Sequence, residues 1–315
     1  MKISLCVTVF NEESSVGPLL DSLFAQSKKA DEIVIVDGGS TDKTVEIINH
    51  YQKKHGNIRL LKERCSRARG RNLSVEVAKN DIIAMTDAGC VAHKDWLEKL
   101  TAPFSTPEVD ISAGFYKMVG ETQMQKAESI FLGVLPSNFD VTFLPSTRSI
   151  AFRKNVWEDV GGFPDEEKNS AEDTYFNYSA LKAGMKYARV KNAIVEWGMP
   201  ETIGEFYRKI KSYAMWDART KIWIFPKKGL TSHNIKALSI LLRYLLGFSL
   251  LVLIFTFGTP PLVYLLICIF VYFAWAFRKV FLEFREVRIA LWGPVLQIVC
   301  DLAVIAGFLT GVFRG

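Results

Sequence analysis

What is missing narrows the field first. The 315 residues hold five cysteines (Cys6, Cys65, Cys90, Cys268 and Cys300), odd in number, scattered, and never spaced as CxxC. That excludes a disulfide framework and a cysteine zinc site, and fits a reducing compartment. Neither GxGxxG nor GxxxxGK[ST] occurs, so the dinucleotide fingerprint and the phosphate-binding P-loop are both absent. Met1-Lys2 runs straight into Ile3–Val9, too short and too β-branched for a signal-peptide core, which predicts a cytosolic N-terminal part. Strong net charge is lacking too, at +6. From Lys236 onward seven basic residues outnumber three acidic ones, and they flank long apolar runs. Basicity placed that way points to a membrane surface and not to nucleic acid.

What is present is a repeating rhythm. Composition is ordinary for a globular protein, 49% hydrophobic and 23% charged, but the last eighty residues are far more apolar than the rest. Ile3–Phe10 is a nearly continuous apolar run, hence a central strand. It ends at Asn11-Glu12-Glu13, where Ser14-Ser15 opens a helix with Val16, Leu19, Leu20 and Leu23 inward. A second strand, 31–36, ends in Asp37-Gly38-Gly39-Ser40-Thr41-Asp42 and leads to a helix burying Val45, Ile47 and Ile48. A third strand covers Ile58–Leu61, an arginine-rich helix runs from Arg67 to Lys79, and a fourth strand climbs from Ile82 to Met85. Strand and helix in alternation predict an α/β fold, a mostly parallel sheet flanked by helices.

Three of those strands end in polar or acidic residues: Asn11-Glu12, Asp37 with Asp42, and Asp87. In a parallel sheet these ends share one edge, the edge where ligands bind. The Gly38-Gly39 pair lets backbone approach a ligand closely. Acidic strand ends around a phosphate ligand call for a bridging hard cation, Mg²⁺ or Mn²⁺. The alternative for Asp87 is a cap on a helix starting near His93. His93 and Trp96 themselves read as cap and packing residues, not as catalysts.

Thr8-Val-Phe-Asn-Glu12, Val36-Asp-Gly-Gly-Ser-Thr-Asp42, Gly70-Arg-Asn72, Thr86-Asp-Ala-Gly89, Ser149-Ile-Ala-Phe-Arg153, Val160-Gly-Gly-Phe-Pro164 and Ala171-Glu-Asp-Thr174 follow one another in order. Over roughly residues 2 to 220 they resemble the ordered motifs of the family-2 inverting glycosyltransferases, which have the GT-A fold. The resemblance implies that Thr8, Phe10 and Glu12 line the base and ribose of a nucleotide-sugar donor. It implies a hydrogen bond from the base to Asp37, and Arg71 near base or phosphates. Asp87 matches the first acid of the family's metal-binding pair, and Asp173, beside Glu172, matches its general base. Gly89 stands where the family usually has the second acid, so the cation is expected to be weakly held.

The residues argue the same way about Asp173. Inverting transfer to a hydroxyl needs one carboxylate to take the acceptor's proton while that oxygen attacks the anomeric carbon. The competing reading is a helix start enriched in acids for dipole reasons. Arg148, just before an apolar strand, is placed to add positive charge at the donor's phosphates or to sit on the surface. The stretch Phe115–Phe143 has an amphipathic middle and no readable chemistry. QxxRW, the motif of processive polysaccharide synthases, is missing, which disfavours repeated chain extension.

Tyr244–Phe277 is 34 residues without a charge. As one straight helix it would be ~50 Å long against a ~30 Å hydrocarbon core. Gly258-Thr-Pro-Pro261 breaks it into a hairpin, about 237–257 and 261–277, with Lys227, Lys228 and Lys236 before it and Arg278-Lys279 after it. Both outer ends are therefore expected in the cytoplasm. A third segment, 289–313, carries Gln297 and Asp301, and either spans with Asp301 facing other helices or forms a re-entrant hairpin. The expectation is a cytosolic domain over 1–225 and a multi-pass domain over 226–315 in the cell membrane. Its partners would be a nucleotide-sugar donor, a lipid-linked or membrane-proximal glycan acceptor and membrane lipids. Two alternatives stay open: a polyprenyl-phosphate acceptor, which needs no base, and a non-catalytic nucleotide-sugar-binding scaffold.

Overall fold

The computed structural model describes residues 1–165, 171–221, 223 and 233–313. The elements are β1 (Ile3–Val9), α1 (Val16–Phe24), β2 (Glu32–Asp37), α2 (Thr44–Lys54), β3 (Ile58–Lys62), α3 (Arg67–Val77), β4 (Ile82–Met85), β5 (Cys90–Ala92), α4 (Trp96–Thr101), β6 (Ile111–Val119), α5 (Gln123–Leu132), β7 (Ile150–Arg153), α6 (Lys154–Val160), α7 (Glu172–Lys182), β8 (Tyr187–Gly198), α8 (Ile203–Arg219), α9 (His233–Phe257), α10 (Thr259–Phe284), α11 (Val287–Ala290) and α12 (Trp292–Phe313). Contacts divide the chain into two compact units. The first holds Met1–Lys117 with Pro136–Gly198, and the second Met118–Leu135 with Met199–Gly315.

The eight strands form one sheet in the order β3-β2-β1-β4-β7-β6-β8-β5. β1 pairs in parallel with β2 and β4, and β2 with β3. β7 turns the sheet antiparallel against β4 and β6, and β5 runs antiparallel to β8. The sheet is thus mixed, its parallel half lying where the strand–helix rhythm predicts it. β2 is buried along its whole length, as a strand covered on both faces must be. Phe152 of β7 packs on Phe176 of α7 with ring centres 5.1 Å apart, and Phe176 stacks on Phe163 at 4.7 Å. Each such buried ring contributes about 1.5–3 kcal/mol. Together they clamp α7 against the sheet.

In the second unit α5 begins with a reciprocal capping box between Thr122 and Gln125. Thr122-to-Leu132 thus accounts for the amphipathic middle of the stretch whose role the sequence left unread. α10 starts at Thr259 with proline in its first turn, earlier than Pro261, and runs on to Phe284, so Arg278 and Lys279 lie inside the helix. α12 is a continuous helix from Trp292 to Phe313, which removes the re-entrant hairpin. Asp301 faces other helices. Its carboxylate accepts hydrogen bonds from Arg243 Nη2, Tyr272 OH and Gln297 Nε2, each at 2.8 Å. Lys227 and Lys228 lie outside the described residues.

Candidate active site

Register decides which groups meet. Parallel pairing of β1 with β2 and β4 puts Val9, Asp37 and Met85 at one edge of the sheet. β7 is antiparallel to β4 with Ile150 opposite Met85, so the loop entering β7 arrives at that same edge carrying Thr147 and Arg148. Asp87, two residues past β4, does not cap a helix. The chain goes on into β5, and α4 starts only at Trp96. Trp96 is a packing residue, fully buried, with its ring nitrogen donating to Ser149 Oγ at 2.9 Å.

The centre of the site is an arginine. Ser66 caps α3 by accepting from the Arg69 backbone N–H at 3.1 Å. This starts the helix so that Arg71 faces inward, 2% exposed. Its guanidinium donates to Asp87 Oδ1 at 2.8 Å and to Glu172 Oε1. Asp87 Oδ1 also accepts from Thr147 Oγ1 at 3.3 Å, and its Oδ2 faces Arg148 Nε at 4.0 Å. Burial works to raise the Asp87 carboxyl, but Arg71, Arg148 and Arg67 outweigh it and hold it below the usual carboxylate range. Arg148 is itself held in place by stacking, its guanidinium carbon 3.9 Å from the centre of the Trp197 ring and 5.1 Å from that of Tyr116.

Glu172 and Asp173 open α7, and their situations differ. Glu172 is 1% exposed, with Oε1 taken by Arg71 and 3.8 Å from Arg67 Nε. Its other oxygen is buried without a hydrogen-bond partner among the described residues. Asp173 caps its own helix turn, Oδ1 accepting from the Thr174 N–H at 2.8 Å. Burial, then the neighbouring Glu172, push the Asp173 carboxyl up, against the pull of Arg71 and Arg148. A carboxylate held up in this way is a stronger base than one in water. Residues 166–170 lie outside the described residues.

The predicted donor residues of β1 and β2 form a separate group at the same edge. Thr8 packs against α3, where a Cβ on Gly70 would stand 3.1 Å from Thr8 Cγ2. Phe10 is 59% exposed, an open aromatic face. Glu12 is committed to its own turn, its carboxylate taken by Ser15 Oγ and its N–H by Thr44 Oγ1 at 2.7 Å. Asp37 is buried and accepts from the N–H groups of Gly39 and Ser40 at 3.2 Å, folding the loop that Asn11 ties down through Ser40 and Thr41.

Four contributors carry no role in the sequence reading. Asn72, in the quoted Gly-Arg-Asn run, receives the Phe163 N–H at 2.8 Å and the Trp157 ring N–H at 3.0 Å, and donates to the Phe163 carbonyl at 2.7 Å. That fastens the loop before α7 to α3. Gly162, at φ +73°, makes it possible: a Cβ there would come 2.8 Å from Asn72 Oδ1. Thr147, Arg67 and Trp197 are the others, and only their proximity in three dimensions reveals them.

The set offers Asp87, a quarter exposed, as a partner for a cation, and has no group of three His, Cys, Asp or Glu that could hold a metal among the described residues. It therefore fits a Mg²⁺ or Mn²⁺ held mainly by a ligand's own phosphates with Asp87 as protein partner, and does not fit a cation held by protein alone.

A half-parallel mixed sheet with acids and arginines at one strand edge is the arrangement of a GT-A fold. Residues 82–277 match the family model "Glycosyl transferase family group 2", and residues 4–159 match "Glycosyl transferase family 2". The chain belongs to the family-2 glycosyltransferases, an inverting family. It is similar to glycosyltransferase AglE of Haloferax volcanii, 24% identical over 250 residues that cover 77% of this chain and 81% of that one. It is 37% identical over 194 residues to a poly(ribitol-phosphate) beta-glucosyltransferase of Bacillus spizizenii, covering 58% of this chain and 30% of the relative. Among solved structures, a mannosyltransferase of Pyrobaculum calidifontis in complex with GDP-Man and Mn²⁺ shares the fold, with a TM-score of 0.70 at 17% identity over 99% of this chain and 87% of that one.

Proposed function

We propose that this chain is a membrane-anchored hexosyltransferase. It moves a sugar with inversion from a nucleotide-sugar donor to a hydroxyl of a lipid-linked or membrane-proximal acceptor, in glycan or cell-envelope biosynthesis. The observation that carries this reading is the division of labour at the start of α7. Glu172 is spent on Arg71, whereas Asp173 is pushed up by burial and by Glu172. A phosphate acceptor would arrive already anionic and would need no such base.

In this reading Phe10 offers its exposed ring to the base, with Thr8, Glu12 and Asp37 shaping the wall around base and ribose. Arg71 and Arg148 stand next to Asp87, where negative charge grows on the departing nucleoside diphosphate. A weakly held Mn²⁺ or Mg²⁺, arriving with the donor and touching Asp87, would add electrostatic stabilisation to that leaving group. Asp173 takes the acceptor's proton. The apolar C-terminal helices anchor the chain in the cell membrane, and the basic residues at the hairpin's open ends favour a cytoplasmic catalytic unit.

The test is a donor panel. Purified protein in detergent is heated with UDP-, GDP- and dTDP-sugars, with Mn²⁺ or with chelator, and nucleoside diphosphate release is followed with membrane lipid extract as acceptor. One donor class should raise the melting temperature, as any ligand of the native state does, and should be turned over. Stabilisation without release across the whole panel would favour the scaffold.

A further inference from the structure

Among the described residues, three helical spans of the second unit are long and apolar enough to cross a membrane, but they are not packed alike. The most apolar stretch is 6% buried in α9 and 11% in α10, against 39% in the span Val287–Phe313 that holds α11 and α12. α12 has two faces. Leu296, Asp301, Ala303 and Val304 are buried, while Val295, Leu302, Leu309 and Val312 form an exposed stripe.

Its contacts fix where its two ends lie along the α9–α10 hairpin. At the start, a Cβ on Gly293 would run into the Ala276 carbonyl and stand 3.1 Å from Val280, in the last third of α10. In the middle, Asp301 takes hydrogen bonds from Arg243 of α9 and Tyr272 of α10. At the end, Gly307 lies against the Lys211 carbonyl and Gly311 against the Met215 carbonyl of α8. The last turns of α8 are in turn tied to the first turn of α9, Asn234 Nδ2 donating to the Asp217 carbonyl at 2.9 Å. Both ends of α12 therefore sit at the open ends of the hairpin. A third span would have one end beside the Gly258 turn, since 22 residues of helix reach roughly 33 Å.

The partner of α12 points the same way. Steps of four along α12, Gly307 to Gly311, match steps of four along α8, Lys211 to Met215, so the two helices run parallel. α8 carries Glu205, Arg208, Lys209, Lys211, Asp217 and Arg219, too many charges for a hydrocarbon core. If α12 crossed the bilayer, it would carry these charges in with it.

We propose that α12 lies flat in the membrane interface, paired with α8, and that only the α9–α10 hairpin enters the bilayer deeply. The occupant of the exposed α12 stripe is lipid. The stripe belongs to the same unit as the hairpin, whose stretch 244–277 carries no charge, and Arg278, Lys279, Arg285 and Arg288 outnumber Glu283 and Glu286 where α10 passes into α12, as suits anionic headgroups. The C-terminal end of α12 then returns to the face on which α8 lies. This inference rests on the anchoring part of the proposed function, not on the transferase chemistry.

Reporters on the full chain test it. Green fluorescent protein, which fluoresces only in the cytoplasm, and alkaline phosphatase, active only outside it, are each fused to the N-terminus and to the C-terminus. Both termini should report the same side. Opposite sides would overturn the flat α12 and leave membrane anchoring intact, whereas recovery of the chain in the soluble fraction would overturn both. Lysine scanning gives a second readout. Leu302→Lys and Leu309→Lys should leave membrane insertion within about twofold of wild type, with the lysine at the headgroups. Phe248→Lys and Phe270→Lys, near the middle of the hairpin's helices, should lower it roughly tenfold or more. Equal losses at both sets would overturn the proposal.

Discussion

Arg71→Met is the perturbation that bears hardest on the site's construction. Arg71 is the buried group that joins Asp87 to Glu172. Methionine keeps most of its volume, so the loss is electrostatic. Asp87, a quarter exposed, retains Thr147 and Arg148. Glu172 is left in the interior with only the exposed Arg67 at 3.8 Å. Its buried charge then has no close buried partner, and breaking a buried pair in this way typically costs ~3–5 kcal/mol. Equilibrium urea unfolding in detergent at pH 7, read by near-ultraviolet circular dichroism, measures the loss. Arg71→Met/Glu172→Gln should regain most of it. A loss under about 1 kcal/mol, or one that Glu172→Gln does not regain, would show that Arg71 is not needed to hold Glu172.

Other expectations follow from neighbouring observations. A Cβ on Gly89 meets nothing within 4 Å, so Gly89→Asp should fit, supply the missing second acid, and tighten Mn²⁺ binding in the presence of nucleoside diphosphate by roughly tenfold; calorimetry reads this directly. Asn72→Ala strands the Phe163 N–H and carbonyl in the interior and should cost about 2–4 kcal/mol in the same urea assay, with transfer falling further because α7 loses its tether to α3. Because burial and Glu172 raise Asp173, the acid limb of kcat/KM should have its midpoint above the ordinary aspartate value of about 3.9. Rate is lost as pH falls through it, while Asp87, held down by three arginines, stays ionised.

The parallel half of the sheet was legible because β1, β2 and β4 are short apolar runs that lead into polar or acidic residues. That pattern reports burial on both faces and a functional edge together. β7 and β8 were harder, since an antiparallel strand written far along the chain does not announce which neighbour it will join. The site divides on the same line. Asp37, Asp87, Glu172 and Asp173 stand in motifs whose residue order carries information. Thr147, Arg67 and Trp197 act only through the register of β7 on β4 and the turn of α3, which one-dimensional spacing does not encode. Asn72 could have been found, because it sits in a quoted motif and a buried asparagine beside an arginine needs a partner. The helix limits near 261 and 277 were misjudged for a simple reason: a helix does not end where its charges begin, and α10 continues through Arg278 and Lys279.

The proposed role of Asp173, base of a transfer to a hydroxyl, is open to a direct test. With the donor identified from the panel, Asp173→Asn and the wild type are compared for sugar transfer and for nucleoside diphosphate binding by calorimetry. Transfer should fall by about 10²–10⁴-fold, with diphosphate affinity within about threefold of the wild type if the donor's phosphates meet Asp87 and the arginines, as proposed, and not Asp173. Transfer at the wild-type rate in Asp173→Asn would contradict it and point to an acceptor that arrives already ionised.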